Sequence, residues 1–268
     1  MTVAEVLRRS ADYLAAKGVD SPRVDAEHLL AHALGLTRIG LYTQHDRPLT
    51  PAERAAVREL VRRRGTREPL AYVLGEWGFR RLTLRTDARA LVPRPETEVV
   101  VERCLAVLAG IDAPRVLDVG VGSGAIALAL ADEHPGARVT AVDVSAAALS
   151  LARENAERLG LAVELREGGV EAAGEGWDLV VSNPPYVDAD ELPGLQPEVR
   201  DWEPRRALLD EGLHAELART ARTTWLVLEV GAGQARDVAR DLESSGYRDV
   251  TITRDLSGHE RVVEGRRA

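Results

Sequence analysis

The chain has 268 residues, of which 45% are hydrophobic and 29% charged, and its formal net charge is −8. This composition is enough for a packed core, excludes wholesale disorder, and fits one large domain or two modest ones. No apolar run is long enough to span a membrane, and the first residues do not resemble a secretory signal. The single cysteine, Cys104, excludes an intrachain disulfide framework and a cysteine-rich zinc site, so we expect a cytoplasmic protein.

Charge is distributed unevenly along the chain. Residues 1–75 contain 12 Arg or Lys and 9 Asp or Glu, a net charge of +3, so the remainder carries −11. The basic N-terminal part could face an acidic partner, and it could equally be ordinary solvated surface. The acidic whole disfavours broad contact with nucleic-acid phosphates. We therefore expect no direct nucleic-acid partner, and we expect a monomer.

Residues 1–75 are predicted to form a helical domain. Apolar residues recur with helical spacing in two segments. Ser21-Pro22 is a helix-start signal with Ser21 as N-cap, and Gly35 is typical of a helix end. Thr50-Pro51 repeats the start signal, and Glu53 has the spacing of a capping box. The spaced apolar residues are Val3, Val6, Leu7 and Leu14, and then Val24, Ala26, Leu29, Leu30, Ala33 and Leu34.

The pattern changes after residue 75. Phe79, Leu82 and Leu84, followed by Leu91-Val92, predict two short strands around the turn-rich Thr86-Asp87-Ala88. We interpret residues 76–95 as a β-hairpin linker between domains. The prolines of Pro93-Arg94-Pro95 then end any regular element before a helix predicted over 97–108.

Residues 96–268 are predicted to form an α/β domain with a mostly parallel sheet covered on both faces. Strand-like and helix-like segments alternate through the first five strands. Only a short connection, Leu256-Ser257-Gly258-His259, separates the last two strands, so these should pair antiparallel. The predicted strands are Arg115–Val119, Arg138–Asp143, Val163–Leu165, Leu179–Ser182, Trp225–Val230, Val250–Thr253 and Arg261–Glu264.

A glycine-rich turn follows the first of these strands and precedes a helix. Such a turn lets a ligand approach the backbone closely, at the carboxyl ends of parallel strands where nucleotide-like cofactors bind. The next strand ends in Asp143, whose carboxylate could accept both ribose hydroxyls of NAD or of S-adenosylmethionine. These two motifs therefore leave an NAD(P) enzyme, and a purely structural turn, open. The residues of the turn that we assign to cofactor binding are Asp118, Gly120, Val121, Gly122, Ser123 and Gly124.

The third motif, Asn183-Pro184-Pro185-Tyr186, follows the fourth strand of this domain. Its prolines have no backbone donors, so the loop offers acceptors, namely the Asn183 side-chain oxygen and the Pro184 carbonyl. Two acceptors suit a substrate NH₂ group whose nitrogen is a poor nucleophile and must be aimed at an electrophile. Tyr186 can lie against a planar group. A hydride-transfer enzyme has no need of this loop.

Together the glycine turn and the Asn-Pro-Pro-Tyr loop resemble those of amino-group methyltransferases that use S-adenosylmethionine. Further segments resemble the bacterial release-factor glutamine methyltransferases (the HemK/PrmC family), and this resemblance covers nearly the whole chain. The segments are residues 68–79 and 91–98, Val199-Arg200, Glu203-Pro204, Ala207-Leu208, Leu228-Glu229, Gly231, Gln234, Gly246-Tyr247, residues 254–258 and residues 261–263.

The resemblance implies a seven-stranded Rossmann-like methyltransferase domain that acts on class 1 peptide chain release factors. The reaction would move a methyl group from S-adenosylmethionine to the amide nitrogen of the glutamine in their Gly-Gly-Gln motif, leaving S-adenosylhomocysteine. Gly120, Gly122 and Gly124 would line the methionine part, and Asp143 would hold the ribose. Asn183 and Pro184, with Pro185 and Tyr186, would bind the glutamine amide, and Asn183 would also belong to the cofactor-binding residues. The helical domain would dock the release factor, and no metal is implied.

Two departures from the family pattern concern the cofactor. Residue 121 is Val where the family usually has Thr. Glu167-Gly168-Gly169 stands where the family tends to have an acidic and then an apolar residue near the adenine. We therefore assign the adenine to Glu167 and Gly168, with Glu167 accepting from its amino group. The alternatives are methylation of a ribosomal-protein glutamine or a nucleic-acid base, an NAD(P)-dependent oxidoreductase, and a non-enzymatic adaptor.

Overall fold

The structure is a computed structural model that describes residues 1–267. The chain forms two compact units, of which the first comprises residues 1–75 and 196–202, and the second residues 76–195 and 203–268.

Short 3₁₀ segments occur at Val170–Glu175, Leu192–Gly194 and Arg205–Ala207. The helices are α1 (Val3–Ala16), α2 (Pro22–Leu34), α3 (Arg38–Thr43), α4 (Pro51–Gly65), α5 (Leu70–Leu74), α6 (Thr97–Val107), α7 (Ala125–Glu133), α8 (Ala146–Leu159), α9 (Pro197–Arg200), α10 (Leu213–Thr220) and α11 (Ala235–Ser244). The strands are β1 (Glu76–Phe79), β2 (Leu82–Arg85), β3 (Arg115–Val119), β4 (Arg138–Asp143), β5 (Glu164–Glu167), β6 (Trp177–Ser182), β7 (Thr223–Glu229), β8 (Arg248–Arg254) and β9 (Glu260–Arg266).

The first unit is a helical bundle, and the starts of its helices α2 and α4 can be compared with the predicted start signals. Thr50 and Glu53 form the predicted capping box at the start of α4. Helix α2 begins at Pro22 with Ser21 in the N-cap position, as predicted, although the Ser21 side chain makes no capping hydrogen bond. The backbone of Ser21, with ψ of 58°, is not in the extended conformation that aims a capping side chain at the first turn. The core contains Val3, Leu7, Leu14, Ala26, Leu29, Leu30, Leu41, Val57, Val61 and Val73.

A buried ion network includes the short segment 196–202 in this unit. Arg64, only 6% exposed, donates through Nε to Asp25 at 2.7 Å and contacts Glu198 through Nη1 at 2.8 Å. Arg67 makes a bidentate pair with the same Glu198 carboxylate, with both N–O distances at 2.6 Å. A buried arginine is costly unless its charge is compensated, so Glu198 and Asp25 together make the burial of Arg64 possible.

The predicted hairpin exists, but its turn is not where we predicted it. Strands β1 and β2 pair antiparallel and turn at Arg80-Arg81, so the prediction of a turn at Thr86-Asp87-Ala88, with Leu91-Val92 as the second strand, is wrong. Arg80 has a φ of +51°, which is unusual for a residue with a side chain. Its backbone N–H donates to Glu98 at 2.9 Å and its guanidinium forms a bidentate pair with Glu133. These long-range contacts stabilise a turn that its own two arginine residues do not predict.

The second unit is built on the predicted seven-stranded sheet, in the order β5-β4-β3-β6-β7-β9-β8. The first five strands in this order are parallel. Strand β9 is antiparallel to β8, as predicted, and also to β7, a pairing that the sequence analysis did not include. The chain runs outward from β3 to β5 and returns to β6, which makes β3 and β6 neighbours. The carboxyl ends of β3, β4 and β6 therefore meet where the strand order reverses, which is where ligands of α/β sheets bind.

Helices cover both faces of this sheet. Along β3, Val116 packs on one side with α6, α7 and α8, and Leu117 on the other with α10 and α11. Alternation of this kind along a buried strand explains why β3, β4, β6 and β7 are mostly apolar in sequence, whereas the edge strand β5 is not. Within residues 1–267, no helix has both the length and the apolar character needed to cross a membrane.

A single asparagine joins the hairpin to the glycine turn. Asn155 of α8 is fully buried, accepts from the Arg85 backbone N–H at 2.7 Å, and donates to the carbonyls of Arg85 at 3.1 Å and Ser123 at 2.9 Å. Each lost partner leaves a buried backbone group unsatisfied, which typically costs about 1–3 kcal/mol.

We expect Asn155→Ala to lower the free energy of unfolding by about 3 kcal/mol, because one buried and two part-buried hydrogen bonds disappear together. Urea unfolding followed by circular dichroism measures the change. The matched control is Glu157→Ala, at an exposed position of the same helix. An Asn155→Ala variant as stable as this control would show that the three bonds contribute nothing.

Candidate active site

The glycine turn links β3 to α7. Gly120, Gly122 and Gly124 all have positive φ, at +80°, +55° and +92°. A Cβ added to Gly120 would meet nothing within 4 Å, whereas one on Gly124 would lie 2.8 Å from Leu128 Cδ1. Gly120 therefore leaves open space at the end of the strand, and Gly124 allows the turn to pack closely on its own helix. The N-terminus of α7 begins one residue later and favours negative or electron-rich groups.

Asp118 lies under this turn with one unsatisfied oxygen. Its side chain is 1% exposed, and Oδ2 accepts from the Ala127 N–H at 3.1 Å. Oδ1 is buried and has no hydrogen-bond partner within residues 1–267. Burial, with a smaller contribution from the charge of Asp143, raises the pKa of Asp118 to about 7. An orphaned carboxylate oxygen beside an open turn fits the ammonium group of the methionine part of S-adenosylmethionine.

The raised pKa makes a testable contribution to stability. A carboxyl group with a higher pKa in the folded than in the unfolded state stabilises the protein below its unfolded pKa, and that stabilisation is lost as pH rises through the folded pKa. For Asp118 this window runs from 3.8, the ordinary pKa of an aspartate, to about 7. Without cofactor, we therefore expect Asp118→Asn to gain melting temperature relative to wild type between pH 5 and pH 8, by roughly 2–4 °C for each kcal/mol.

Thermal unfolding at both pH values tests this expectation on the cofactor-free protein. Asp178→Ala serves as a control, because it removes a partly exposed carboxylate at the opposite end of the sheet. A melting-temperature difference between Asp118→Asn and wild type that does not change with pH would contradict the burial of a charge at this position.

Asp143 ends β4 and faces the glycine turn. Its Oδ2 accepts from the Gly122 N–H at 3.0 Å, and its Oδ1 accepts from the Ser145 N–H at 2.8 Å. A carboxylate offers about four lone-pair sites, so each oxygen retains capacity for one ribose hydroxyl. The two backbone bonds hold the carboxylate against the turn, which is the position that the ribose prediction requires.

The predicted adenine residues lie beside Asp143. Glu167 pairs in register with Asp143 across β4 and β5, and its side chain is exposed. The Gly168 N–H donates to the Asp143 carbonyl at 3.2 Å. Val144 follows β4 directly, is 52% exposed, and lies 3.5 Å from where a Gly169 Cβ would lie. No role for it was predicted from the sequence. A Cβ on Gly169 would also lie 2.9 Å from Glu171 Oε2, so a carboxylate borders the exposed apolar side chain of Val144, which can contact a flat ring.

The Asn-Pro-Pro-Tyr loop leaves β6 directly beside the glycine turn. Ser182 pairs with Val119 across the sheet, and its hydroxyl donates to the Val119 carbonyl at 2.6 Å. Asn183, the next residue, donates from Nδ2 to Thr97 Oγ1 at 3.3 Å. Because the amide nitrogen is engaged there, the amide oxygen lies on the other side of the group. Pro184 is buried, so the loop is anchored where its acceptors are needed.

Tyr186 is fixed by the segment that follows β7. Gln234 donates to the Tyr186 carbonyl at 2.9 Å and accepts from the Gly231 N–H at 3.0 Å. A Cβ on Gly231 would lie 2.9 Å from the Tyr186 ring, so glycine is required for this approach. Burial and the nearby Glu229 raise the pKa of Tyr186 to about 12, which keeps the phenol neutral.

A buried carboxylate at the end of β7 completes this cluster. Glu229 is 1% exposed, and its Oε2 is buried without a hydrogen-bond partner within residues 1–267. Burial raises its pKa to about 7, while Arg261 and Arg94 oppose the shift. The sequence marked Thr97 and Glu229 only as parts of family-like segments and gave neither a role. Both could have been found as polar residues in a distinctive place: Thr97 is at the start of a helix and Glu229 is at the end of a buried strand.

Comparisons with known proteins agree with this geometry. Residues 5–75 match the family model described as the PrmC N-terminal domain, and residues 98–194 match the methyltransferase small domain. The chain is 44% identical to the release factor glutamine methyltransferase of Geobacter sulfurreducens, over 99% of this chain and 96% of that protein. It is 41% identical to the enzyme of the same name from Deinococcus radiodurans, over 100% of this chain and 99% of that one.

A solved structure supports the fold. The catalytic domain of hMettl16, solved in complex with a MAT2A 3′UTR hairpin, has a TM-score of 0.56 at 16% identity, and the match covers 68% of this chain and 74% of that one. The sheet, the glycine turn and these matches define an S-adenosylmethionine-dependent methyltransferase, as predicted. The chain belongs to the release factor glutamine methyltransferase family. The family resemblance and the fold class inferred from the sequence are both confirmed.

Proposed function

We propose that this protein methylates the side-chain amide nitrogen of the glutamine in the Gly-Gly-Gln motif of class 1 release factors, and so modulates translation termination. The observation that carries the proposal is the anchored Asn183, whose nitrogen is held by Thr97 while its oxygen remains available beside the glycine turn. Relatives at 41–44% identity are named for this activity over nearly their whole length.

Binding of the methyl donor is assigned to the ends of three neighbouring strands. Gly120, Gly122 and Gly124, with Val121 and Ser123, would line the methionine part, and Asp118 Oδ1 would meet its ammonium group. Asp143 would accept the ribose hydroxyls through oxygens already oriented by Gly122 and Ser145. Glu167 and Gly168 would border the adenine, with Val144 against its face. When bound, S-adenosylmethionine supplies an electrophilic methyl carbon on a sulfonium.

Chemistry at the loop depends on positioning. The Asn183 oxygen and the Pro184 carbonyl each accept one N–H of the glutamine amide, and Pro185 and Tyr186 pack against its plane. The amide nitrogen attacks the methyl carbon as the carbon–sulfur bond breaks, and the electron pair stays on sulfur in S-adenosylhomocysteine. Holding two reactants in line supplies much of such a rate enhancement. The nitrogen becomes acidic once methylated, so its proton leaves late, to solvent.

The remaining assignments concern partners and location. We propose that the helical first unit docks the release factor, and that the enzyme acts in the cytoplasm as a monomer without a nucleic-acid partner. The net charge of −8 supports the absence of a nucleic-acid partner, and the single cysteine supports a cytoplasmic location.

The experiment is transfer of a labelled methyl group from S-adenosylmethionine to purified release factor, with the Gly-Gly-Gln glutamine replaced by alanine as control. Label on the normal factor alone supports reaction, substrate and site together. Label on neither, with S-adenosylmethionine still bound, would overturn the release factor as substrate and direct the search to ribosomal proteins and nucleic acids.

A further inference from the structure

The turn between the last two strands carries a fully exposed leucine. Strand β8 ends at Arg254 and β9 begins at Glu260, and Leu256 lies between them with its whole side chain in solvent. Single apolar residues on a protein surface are ordinary, but within residues 1–267 no other large apolar side chain is as exposed as this one. Whether Leu256 can serve as a binding contact depends on how firmly the turn around it is held.

A buried carboxylate holds this turn in one conformation. Asp255 is buried, and its Oδ1 accepts from the backbone N–H groups of Ser257 at 2.9 Å and His259 at 3.0 Å. The Asp255 carbonyl also accepts from the N–H of Gly258, whose φ of +85° glycine adopts without steric cost. Leu256 is therefore presented to solvent on a rigid support, so a partner that binds it pays little entropy for ordering the turn.

The pairing of the strands places this turn at the edge of the sheet that carries the candidate active site. Strand β9 is antiparallel to β7, and Glu229 at the end of β7 pairs with Val262 near the start of β9. Arg261 Nη1 donates to the Val230 carbonyl at 3.0 Å, and its Nε donates to Asp255 Oδ2 at 3.4 Å. The turn thus stands at the carboxyl ends of the parallel strands, where β6 leads into the Asn-Pro-Pro-Tyr loop.

The distance along this edge matches the size of a protein interface. The strand order is β6-β7-β9-β8, and neighbouring strands lie about 4.8 Å apart, so the turn is about 10–15 Å from the end of β6. A specific interface covers about 800 Å² of each partner, which corresponds to a circle of about 16 Å radius. A protein that inserts a side chain at Asn183 and forms an interface centred there therefore covers Leu256 as well.

We propose that Leu256 is a docking residue for the release factor, and that it inserts into an apolar pocket on the surface of the factor near its Gly-Gly-Gln loop. The inference rests on the proposed function, because it takes a protein as the carrier of the methylated glutamine. Arg254 and His259 border the leucine, and both side chains are more than half exposed. An apolar contact with a polar rim is the usual arrangement of a protein interface, so the rim of the pocket should offer hydrogen-bond acceptors.

A second copy of this chain is the other occupant that could cover Leu256. The net charge of −8 opposes association of two identical chains, whereas it sets no such barrier against a different protein. The position of the turn beside the candidate active site also favours the substrate, because the substrate must approach this edge for the reaction to occur.

The test compares Leu256→Asp with Leu256→Met. Aspartate replaces the apolar contact by a charge, whereas methionine keeps the volume and the apolar character. We expect Leu256→Asp to raise KM for the release factor about tenfold or more, while kcat and the affinity for S-adenosylmethionine stay within about threefold of wild type. Leu256→Met should behave as wild type. The matched control is Ala109→Asp, which adds the same charge at an exposed position between α6 and β3.

Binding of a release factor whose Gly-Gly-Gln glutamine is replaced by alanine gives a readout that does not depend on methyl transfer. Its Kd, measured by fluorescence anisotropy, should rise for Leu256→Asp by about the same factor as KM. If wild type methylates the normal factor and Leu256→Asp keeps the KM and Kd of wild type, the docking role is overturned. If wild type does not methylate the normal factor, the proposed function fails, and the docking role fails with it. Sedimentation that shows a dimer of wild type and a monomer of Leu256→Asp would assign the residue to a second copy and would also overturn the proposal.

Discussion

Asn183→Ala is expected to lower kcat on the order of 10²-fold or more, while the affinity for S-adenosylmethionine changes by less than about threefold. The substitution removes an acceptor that the fold holds in place through Thr97, and loss of one preorganised polar contact of this kind has effects of that size. The residues assigned to the ribose and the methionine part of the donor stay in place without this side chain, because Gly122 and Asp143 bond directly to each other. The effect should therefore fall on the chemical step.

Single-turnover methyl transfer and calorimetric titration with S-adenosylmethionine measure the two quantities separately. Asp190→Ala is the matched control, since Asp190 is exposed and lies seven residues further along the same segment. The role assigned to Asn183 is wrong if both turnover and cofactor affinity of Asn183→Ala stay near wild type.

Asp143→Ala should act on binding of the methyl donor. Two ribose hydroxyls would lose a charged acceptor, and hydrogen bonds to charged groups contribute about 1.5–3 kcal/mol each. The Gly122 and Ser145 N–H groups would also lose the oxygens that orient the turn. We expect the dissociation constant for S-adenosylmethionine to rise by roughly 10²-fold or more.

Equilibrium binding of S-adenosylmethionine measures this effect, with Asp178→Ala as the matched control. Asp178 also accepts from a backbone N–H, that of Arg115 at 2.7 Å, but at the other end of the sheet. If Asp143→Ala binds S-adenosylmethionine as tightly as this control, the assignment of Asp143 to the ribose site is wrong. Binding of NADH to wild type under the same conditions would revive the oxidoreductase alternative.

Features that depend on short-range chemistry were predictable from the sequence. The capping box of Thr50 and Glu53, the strand-turn-helix around Gly122 and the antiparallel pairing of β8 with β9 all follow from neighbouring residues or from the length of a connection. The parallel sheet followed from the alternation of segments. These are the parts of the fold in which local preference and tertiary structure agree.

Features that depend on distant partners were not predictable. The positive φ of Arg80 is stabilised by contacts with Glu98 and Glu133, and the residue types in the turn do not predict it. The bond between Asn183 and Thr97 joins residues 86 positions apart. A single sequence shows that each of these residues is polar, but only the sheet order shows which of them meet.

The first unit consists of two segments that lie far apart in the sequence, so the ribosome synthesises them at different times. Its five N-terminal helices emerge early, yet Glu198, which completes the charge balance of Arg64 and Arg67, is translated more than a hundred residues later. Until then Arg64 has Asp25 but lacks its second carboxylate. The nascent helical bundle is thus finished only after most of the sheet strands have been made, so the last stage of its folding is coupled to elongation well beyond its own sequence.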